Sequence, residues 1–384
     1  MNKETSPHWP ACVRGVYRFL RYSSERTRVI QNIPIRRAQN SLIGLQFEAD
    51  TKKLIVFVVP GRDWASGKEK ISGGIISMVS FCEQTAMLGK IHGAKTIMCT
   101  VNGACLLVKH SLFDNQTMVY RFEQLNRHFR SLDELIIHIP EFLTDFFIDT
   151  LSNSDLAWLR SVGNVQINVM NQNIRLMPPS EVLQKAGQLA RRVTITTAHE
   201  KYCTPYFRSY FGVPLHKLSV WISPENYKFR SWSEKENLLV ISPDEHPLKE
   251  SVMALLRRVQ GLKIQVIQGL TYSEYKDLIS RARWTLTFGE GLDGYLIEPI
   301  FSGAVGFAVY NEDFFTADFA DLSTVYPSMD SLKQNMILDM ANLDNDRVYS
   351  QYQQRQFDLC ARYYSKEQYE ANIIAFYTKQ YVYG

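Results

Sequence analysis

Short apolar runs, spaced by amphipathic stretches, set the tightest limit on what this chain can fold into. They fall at 53–59, 95–101, 134–138, 164–170, 193–197 and 218–222, and again at 238–242, 263–267, 284–288 and 305–309. Their centres are continuously apolar instead of alternating, which suits strands covered on both faces. Such strands, interleaved with helix-forming segments, argue for an α/β protein built on mainly parallel sheets. Helices are expected near 248–259 and 273–281. The polar, proline-bearing segment 223–237 reads as a linker between two series, and 384 residues suffice for a core on each side of it. The chain therefore divides into residues 1–225, an αβ unit preceded by an elaboration up to about Asp50; residues 226–360, a second αβ unit; and a tail, 361–384, with aromatics at helical spacing.

Composition removes several function classes. Hydrophobic residues make up 45% and charged residues 21%, as in ordinary soluble proteins. No apolar run is long enough to span a bilayer, and Met1-Asn-Lys-Glu-Thr lacks the apolar stretch of a secretory signal, so a cytoplasmic setting is expected. The six cysteines, Cys12, Cys82, Cys99, Cys105, Cys203 and Cys360, follow neither metal-ligand nor disulfide-framework spacing. A net charge of +4, without a concentrated basic and aromatic groove, argues against a nucleic-acid partner. Arginines do crowd the first forty positions (Arg14, Arg18, Arg21, Arg26, Arg28, Arg36 and Arg37). That run is either a solvated face or a patch for anionic headgroups at the inner face of the plasma membrane.

Chemistry concentrates where the 284–288 run ends. Gly289-Glu290-Gly291 forms a turn there, a helix is expected to start near Asp293 or Gly294, and Glu298 falls just inside it. Backbone amides around Gly291, Leu292, Asp293 and Gly294 would converge on an anion, as helix starts do around phosphate. Carboxylates on either side would accept hydrogen bonds from hydroxyl groups. A ligand carrying both a pyrophosphate and hydroxyls, such as a nucleotide-sugar, fits that pattern. In the first half, Gly73 and Gly74 open another helix, with Ser72 as its cap, and allow close backbone approach to a ligand. The polar, glycine-spaced loop 61–68 before them is either a cover for the cleft or a surface loop.

The 288–305 stretch resembles the E-x7-E element of retaining family-4-type glycosyltransferases, which have the GT-B fold. Glu290, Gly291, Glu298 and Gly303 match its spacing, whereas Leu292-Asp293-Gly294 departs from it. Gly73-Gly74 takes the place of that family's glycine pair after the first strand. The resemblance implies an α/β GT-B architecture, two Rossmann-like αβ domains facing each other across a cleft, with the last helix crossing back to the first domain. It implies a retaining hexosyltransferase that moves sugar from a nucleoside-diphosphate-sugar to a hydroxyl of a glycan or lipid-linked acceptor, without a metal. Capsule or O-antigen synthesis is the setting that analogy suggests. Glu290 would bind donor-sugar hydroxyls and Glu298 the ribose. Relatives carry a histidine at the end of the fifth strand, but this chain has Met170-Asn-Gln-Asn173, so Asn171 or Asn173 would meet the donor. His199 is the second catalytic candidate, and His138 ends another strand. The family's phosphate-binding arginine has no counterpart: Asp244-Glu245 stand there, leaving Lys249, with Arg281 or Arg283 as alternatives. Asp344-Asn-Asp346 matches a D-x-D metal pattern but lies beyond the second strand series. Two rival readings share the fold, a catalytically silent protein that binds glycan or stabilises a partner, and a nucleotide-sugar epimerase.

Overall fold

The computed structural model describes residues 50–61, 73–102, 119–219 and 222–384. Strands β1 (Lys53–Val59), β2 (Lys95–Thr100), β3 (Val119–Arg121), β4 (Glu134–Pro140), β5 (Asn164–Asn171), β6 (Arg192–Thr197) and β7 (Leu215–Lys217) form one parallel sheet, ordered β3-β2-β1-β4-β5-β6-β7. Strands β8 (Glu236–Ile241), β9 (Lys263–Val266), β10 (Ala282–Leu286), β11 (Val305–Val309) and β12 (Val325–Tyr326) form a second, ordered β12-β11-β10-β8-β9, again parallel.

The continuous apolar runs have a direct cause. In β1, Leu54, Val56 and Val58 enter one core cluster, while Ile55, Phe57 and Val59 enter another on the opposite face. Strand β8 divides in the same way, Leu238 and Val240 to one side and Leu239 and Ile241 to the other. A strand buried on both faces cannot alternate with polar residues.

Each sheet reverses its strand order once, between β1 and β4 in the first and between β8 and β10 in the second. Loops at the carboxyl ends of strands flanking such a reversal diverge and leave a crevice for ligand. In the first lobe those loops lead to helix α1 (Gly73–Met87) and to Glu141. In the second they lead to α2 (Lys249–Leu256) and α3 (Gly294–Phe301). Helix α4 (Asp346–Tyr363) packs on the second sheet, where the Gln356 amide donates to the Gly306 carbonyl and accepts from the Gly306 amide. Helix α5 (Lys366–Tyr377) lies on the first sheet, its Tyr369, Ile373 and Phe376 packing with Ile55, Phe57 and Phe81, and Tyr383 pairs antiparallel with Leu215.

His138 sits beneath α5, away from solvent. Its ring stacks on Phe57 at 4.5 Å, its Nδ1 accepts from the Asn168 amide, and its Nε2 contacts the Tyr377 hydroxyl, each at 3.0 Å. Burial pushes its pKa down to about 3, so the ring is a neutral pillar of the core.

The strand expected at 218–222 lies earlier, at Leu215–Lys217. It is fixed by β6 on one side and the chain end on the other, and the Leu218 amide makes the last rung, to the Thr197 carbonyl at 3.0 Å. Strands β3 and β12, three and two residues long, carried no sequence signal. The 223–237 segment contains two single-turn helices, Pro224–Asn226 and Trp232–Glu234, and β8 starts inside it. The N-terminal arginines, Cys12, Cys105, Ser72 and loop residues 62–68 lie outside the described residues. Cys82, Cys99, Cys203 and Cys360 are free and buried. Among the described residues, no helix is long and apolar enough to cross a membrane.

Candidate functional site

Strand β10 delivers its carboxyl end to the reversal point of the second sheet, and the turn into α3 follows. Gly291 adopts φ +103°, and a Cβ there would overlap the Phe315 ring, so only glycine closes this turn. Leu292 packs its side chain against the second lobe's core, leaving its backbone as the part near the turn. Asp293 is the N-cap of α3. Its Oδ1 accepts from the Leu296 amide at 3.2 Å, and its Oδ2 from the Thr287 hydroxyl at 3.4 Å. The sequence assigned Asp293 to a ligand, but its carboxylate is engaged with its own helix, where capping satisfies an otherwise orphaned amide. Asp244 approaches from the β8 loop. Its Oδ2 and that of Asp293 both stand 2.8 Å from where a Cβ on Gly289 would be. Crowding of these carboxylates adds to burial in lifting the Asp293 pKa to about 7.

Glu290 reaches across to the first lobe, where the Asn173 side-chain amide donates to its Oε1. That alignment is built from below. Glu141, which follows β4 at the other reversal point, is buried, and its carboxylate accepts from the Gln172 and Asn173 amides at 3.2 and 3.1 Å. The Glu141 carboxylate therefore shapes the turn that aims Asn173 at Glu290. Around this bond the lobes are stitched by the 311–315 segment. Arg175 donates through Nε and Nη2 to Asp313 Oδ2 at 2.9 and 2.6 Å, the Tyr202 hydroxyl donates to Asp313 Oδ1 at 3.2 Å, and the Lys201 ammonium to the Glu312 carbonyl at 2.6 Å. His199 packs edge-on against Phe314, ring centroids 5.2 Å apart, with Nε2 3.1 Å from the Gln172 carbonyl. Nε2 therefore carries the proton, and burial pushes the ring's pKa down to about 4. Near neutral pH His199 is uncharged.

The structure thus brings Asn173, Glu290 and His199 to one seam, with Asn171 beside them. Asn171 is buried at the end of β5, its amide reaching the Thr197 hydroxyl at 3.4 Å. Gly74 follows Gly73 in the first turn of α1, which begins after the β1 loop. The Lys249 ammonium is buried and committed to the Ser242 and Asp244 carbonyls at 2.9 and 2.8 Å. Arg281 and Arg283 flank the opposite, amino end of β10 and pair there with Glu236 and Asp344, so neither stands near the turn. The same pairing, plus the Asp346 bond to Ser350, accounts for the D-x-D match as a local structural element.

Glu298 lies one turn into α3, with its Oε1 2.9 Å from where a Cβ on Gly294 would stand. The side chain keeps some surface, but among the described residues its Oε2 has no hydrogen-bond partner of normal geometry. Burial lifts its pKa to about 8, against the pull of the neighbouring Tyr275 and Tyr227 hydroxyls. A carboxyl whose folded pKa lies above its unfolded value of 4.5 makes stability fall as pH rises between the two. Glu298→Gln is therefore expected to melt with the wild type at pH 4.5 and increasingly above it towards pH 8, the gap levelling beyond. Calorimetry of the ligand-free protein across that range checks this; a gap that closes with rising pH would contradict it. Asn171 Oδ1, Gln172 Nε2 and Asp244 Oδ2 are likewise buried without hydrogen-bond partners among the described residues. Native structures leave few such atoms.

No family model matches the chain, and no curated protein matches its sequence. Solved structures do match its backbone. Anabaena HepE, determined in complex with UDP-glucose, aligns with a TM-score of 0.55 at 9% identity, over 85% of this chain and 99% of that one. Sucrose-phosphate synthase from Thermosynechococcus elongatus aligns with a TM-score of 0.51 at 10% identity, over 86% of this chain and 99% of that one. The chain has the GT-B fold. Its two Rossmann-like sheets face each other with their reversal points towards a shared seam, the arrangement that the 288–305 resemblance led one to expect.

Within this GT-B frame, sequence reasoning missed Glu141, Arg175 and Asp313. Glu141 had a usable signal, since it directly follows a core strand flanking the order reversal. Arg175 and Asp313 are 138 residues apart and carry no motif; only docking of the lobes joins them.

Proposed function

We propose that this protein is a glycosyltransferase that moves a sugar from a nucleoside-diphosphate-sugar to a hydroxyl of a glycan or lipid-linked glycan, with retention of configuration. The observation that carries this reading is the bond between Glu290 and Asn173, which sets a carboxylate and an amide from opposite lobes at the mouth where both strand reversals open. Glu290 would hold donor-sugar hydroxyls and Glu298, whose side chain keeps some surface, the ribose hydroxyls. Asn171 and Asn173 would complete the sugar's polar surroundings, as amides that bond hydroxyls without moving protons. Neutral His199, its Nε2–H committed to the Gln172 carbonyl, would offer only Nδ1, as an acceptor for a hydroxyl in the same wall. The reaction needs charge stabilised on the departing diphosphate while water is excluded, and a cleft closed between two lobes provides that setting. No metal is assigned a part.

A thermal-shift panel of UDP-, GDP-, dTDP- and CMP-sugars tests the reading. One nucleotide class is expected to raise the melting temperature by several degrees, and Glu298→Gln to weaken its binding by about 1–3 kcal/mol. A flat response to every nucleotide would remove the proposal and favour a silent glycan-binding protein. NMR of the reaction mixture separates transfer, which needs an acceptor, from epimerisation, which does not.

A further inference from the structure

We propose that Arg175, on the first lobe, is a cation that receives the donor's diphosphate. The inference rests on the functional reading above and names the missing partner of that site.

A diphosphate brings more negative charge than helix amides alone can balance. In the second lobe the loop after β8 supplies Asp244 and Glu245, and Asp244 stands close to Asp293 across Gly289. Asp293 has already taken the Leu296 amide of α3. The Lys249 ammonium is buried and turned onto two carbonyls, with at most one N–H to spare. Arg281 and Arg283 are held at the far end of β10. On the first lobe, the Lys217 ammonium is turned onto the Ala198 carbonyl at 2.7 Å, and Lys201 onto the Glu312 carbonyl.

Arg175 differs in three respects. It lies two residues after Asn173, whose amide bonds Glu290, so it belongs to the wall that meets the donor turn. Its partner Asp313 lies two residues before Phe315, whose ring fills the space beside Gly291. Its side chain is 63% exposed, its guanidinium stands 5.9 Å over the Phe314 ring, and among the described residues its hydrogen bonds use only Nε and Nη2, leaving donors for a second anion. An exposed ion pair is weakly held. If Arg175 swings from the carboxylate to phosphate, Asp313 keeps the Tyr202 hydroxyl as a donor. The planar fork of a guanidinium matches phosphate oxygens better than an ammonium does.

Isothermal titration of the full chain with UDP, GDP and dTDP, each beside its parent nucleoside, tests the assignment in wild type, Arg175→Ala and Asp313→Asn. Arg175→Ala is expected to weaken the diphosphate that binds by roughly tenfold or more while leaving the nucleoside unchanged. Asp313→Asn, which frees the guanidinium, is expected to bind the diphosphate at least as tightly as wild type. Equal losses in both variants would show that the pair merely latches the lobes, and an unaltered Arg175→Ala would show that the arginine is idle; either overturns the proposal. Failure of wild type to bind any diphosphate overturns the functional reading itself, a separate result. Matching melting temperatures for wild type and Arg175→Ala exclude misfolding as the cause.

Discussion

Gly303→Ala is expected to destabilise the protein by about 2–5 kcal/mol, a large part of the stability of an ordinary domain. Gly303 ends α3 with φ +90°, a conformation that L side chains rarely adopt. A Cβ there would meet the Arg230 carbonyl oxygen, with Lys235 Cε at 3.1 Å and Phe229 Cε2 at 3.2 Å beyond it. The carbonyl cannot retreat freely, because the Arg230 amide donates to the Ser302 carbonyl at 3.2 Å and ties the two segments together. On the other side the Tyr349 hydroxyl donates to the Gly303 carbonyl at 2.8 Å. The substitution therefore combines backbone strain with overlap against fixed backbone. Gly261→Ala is the control: its φ is +76°, but none of the described residues lies within 4 Å of the added carbon, so only strain of about 1 kcal/mol is expected. Urea denaturation should separate the two variants clearly. A Gly303→Ala protein within 1 kcal/mol of Gly261→Ala would show that the linker yields. The family-like glycine at this position thus has a structural reason, since it lets β11 turn back beneath the helix that carries Glu298.

The outcome for Gly303 illustrates what local sequence can carry. Strands buried on both faces, such as β1 and β8, announce themselves because each residue along them must be apolar. The 289–298 turn was equally legible, since its glycines, its cap and its two glutamates are set by spacing within one segment. Edge strands β3 and β12 were not, because pairing rather than composition makes them strands. β7 was misplaced for a related reason: its register depends on Tyr383, at the far end of the chain. The site follows the same division. Glu290 could be chosen from its motif and Asn173 from the end of its strand, yet their bond spans 117 residues. Asp293 was read as facing a ligand, because capping and ligation call for the same residue type at the same place. Burial is equally silent in sequence, and it is burial that leaves His199 neutral.

Glu290→Ala is expected to lower turnover by roughly 10²–10³-fold while changing nucleotide affinity by no more than about threefold, once the panel has identified a donor. The split follows from position. Glu290 stands at the seam, bonded to Asn173 of the other lobe, and in the proposed reading it would meet the sugar rather than the base or ribose. Loss of its bond with Asn173 would also loosen lobe closure, so Asn173→Ala and the double variant complete a cycle that divides the two effects. A latch acting alone predicts that the double variant is no worse than either single one and that all three weaken nucleotide binding in step. A group contacting the sugar predicts that Glu290→Ala is the more severe single change and that its defect lies in kcat. The rate profile offers a second readout. Burial raises the Glu290 pKa, the Asn173 hydrogen bond pulls it down, and the Asp244 charge raises it again, leaving it above the ordinary 4.5. If the carboxylate is the working form, activity falls as pH drops through that raised value. Asp244→Asn removes a like charge, so it is expected to move the acid limb to lower pH. A limb that stays fixed or moves upward would mean that another group governs it, and Glu290 would then be a structural contact of the seam.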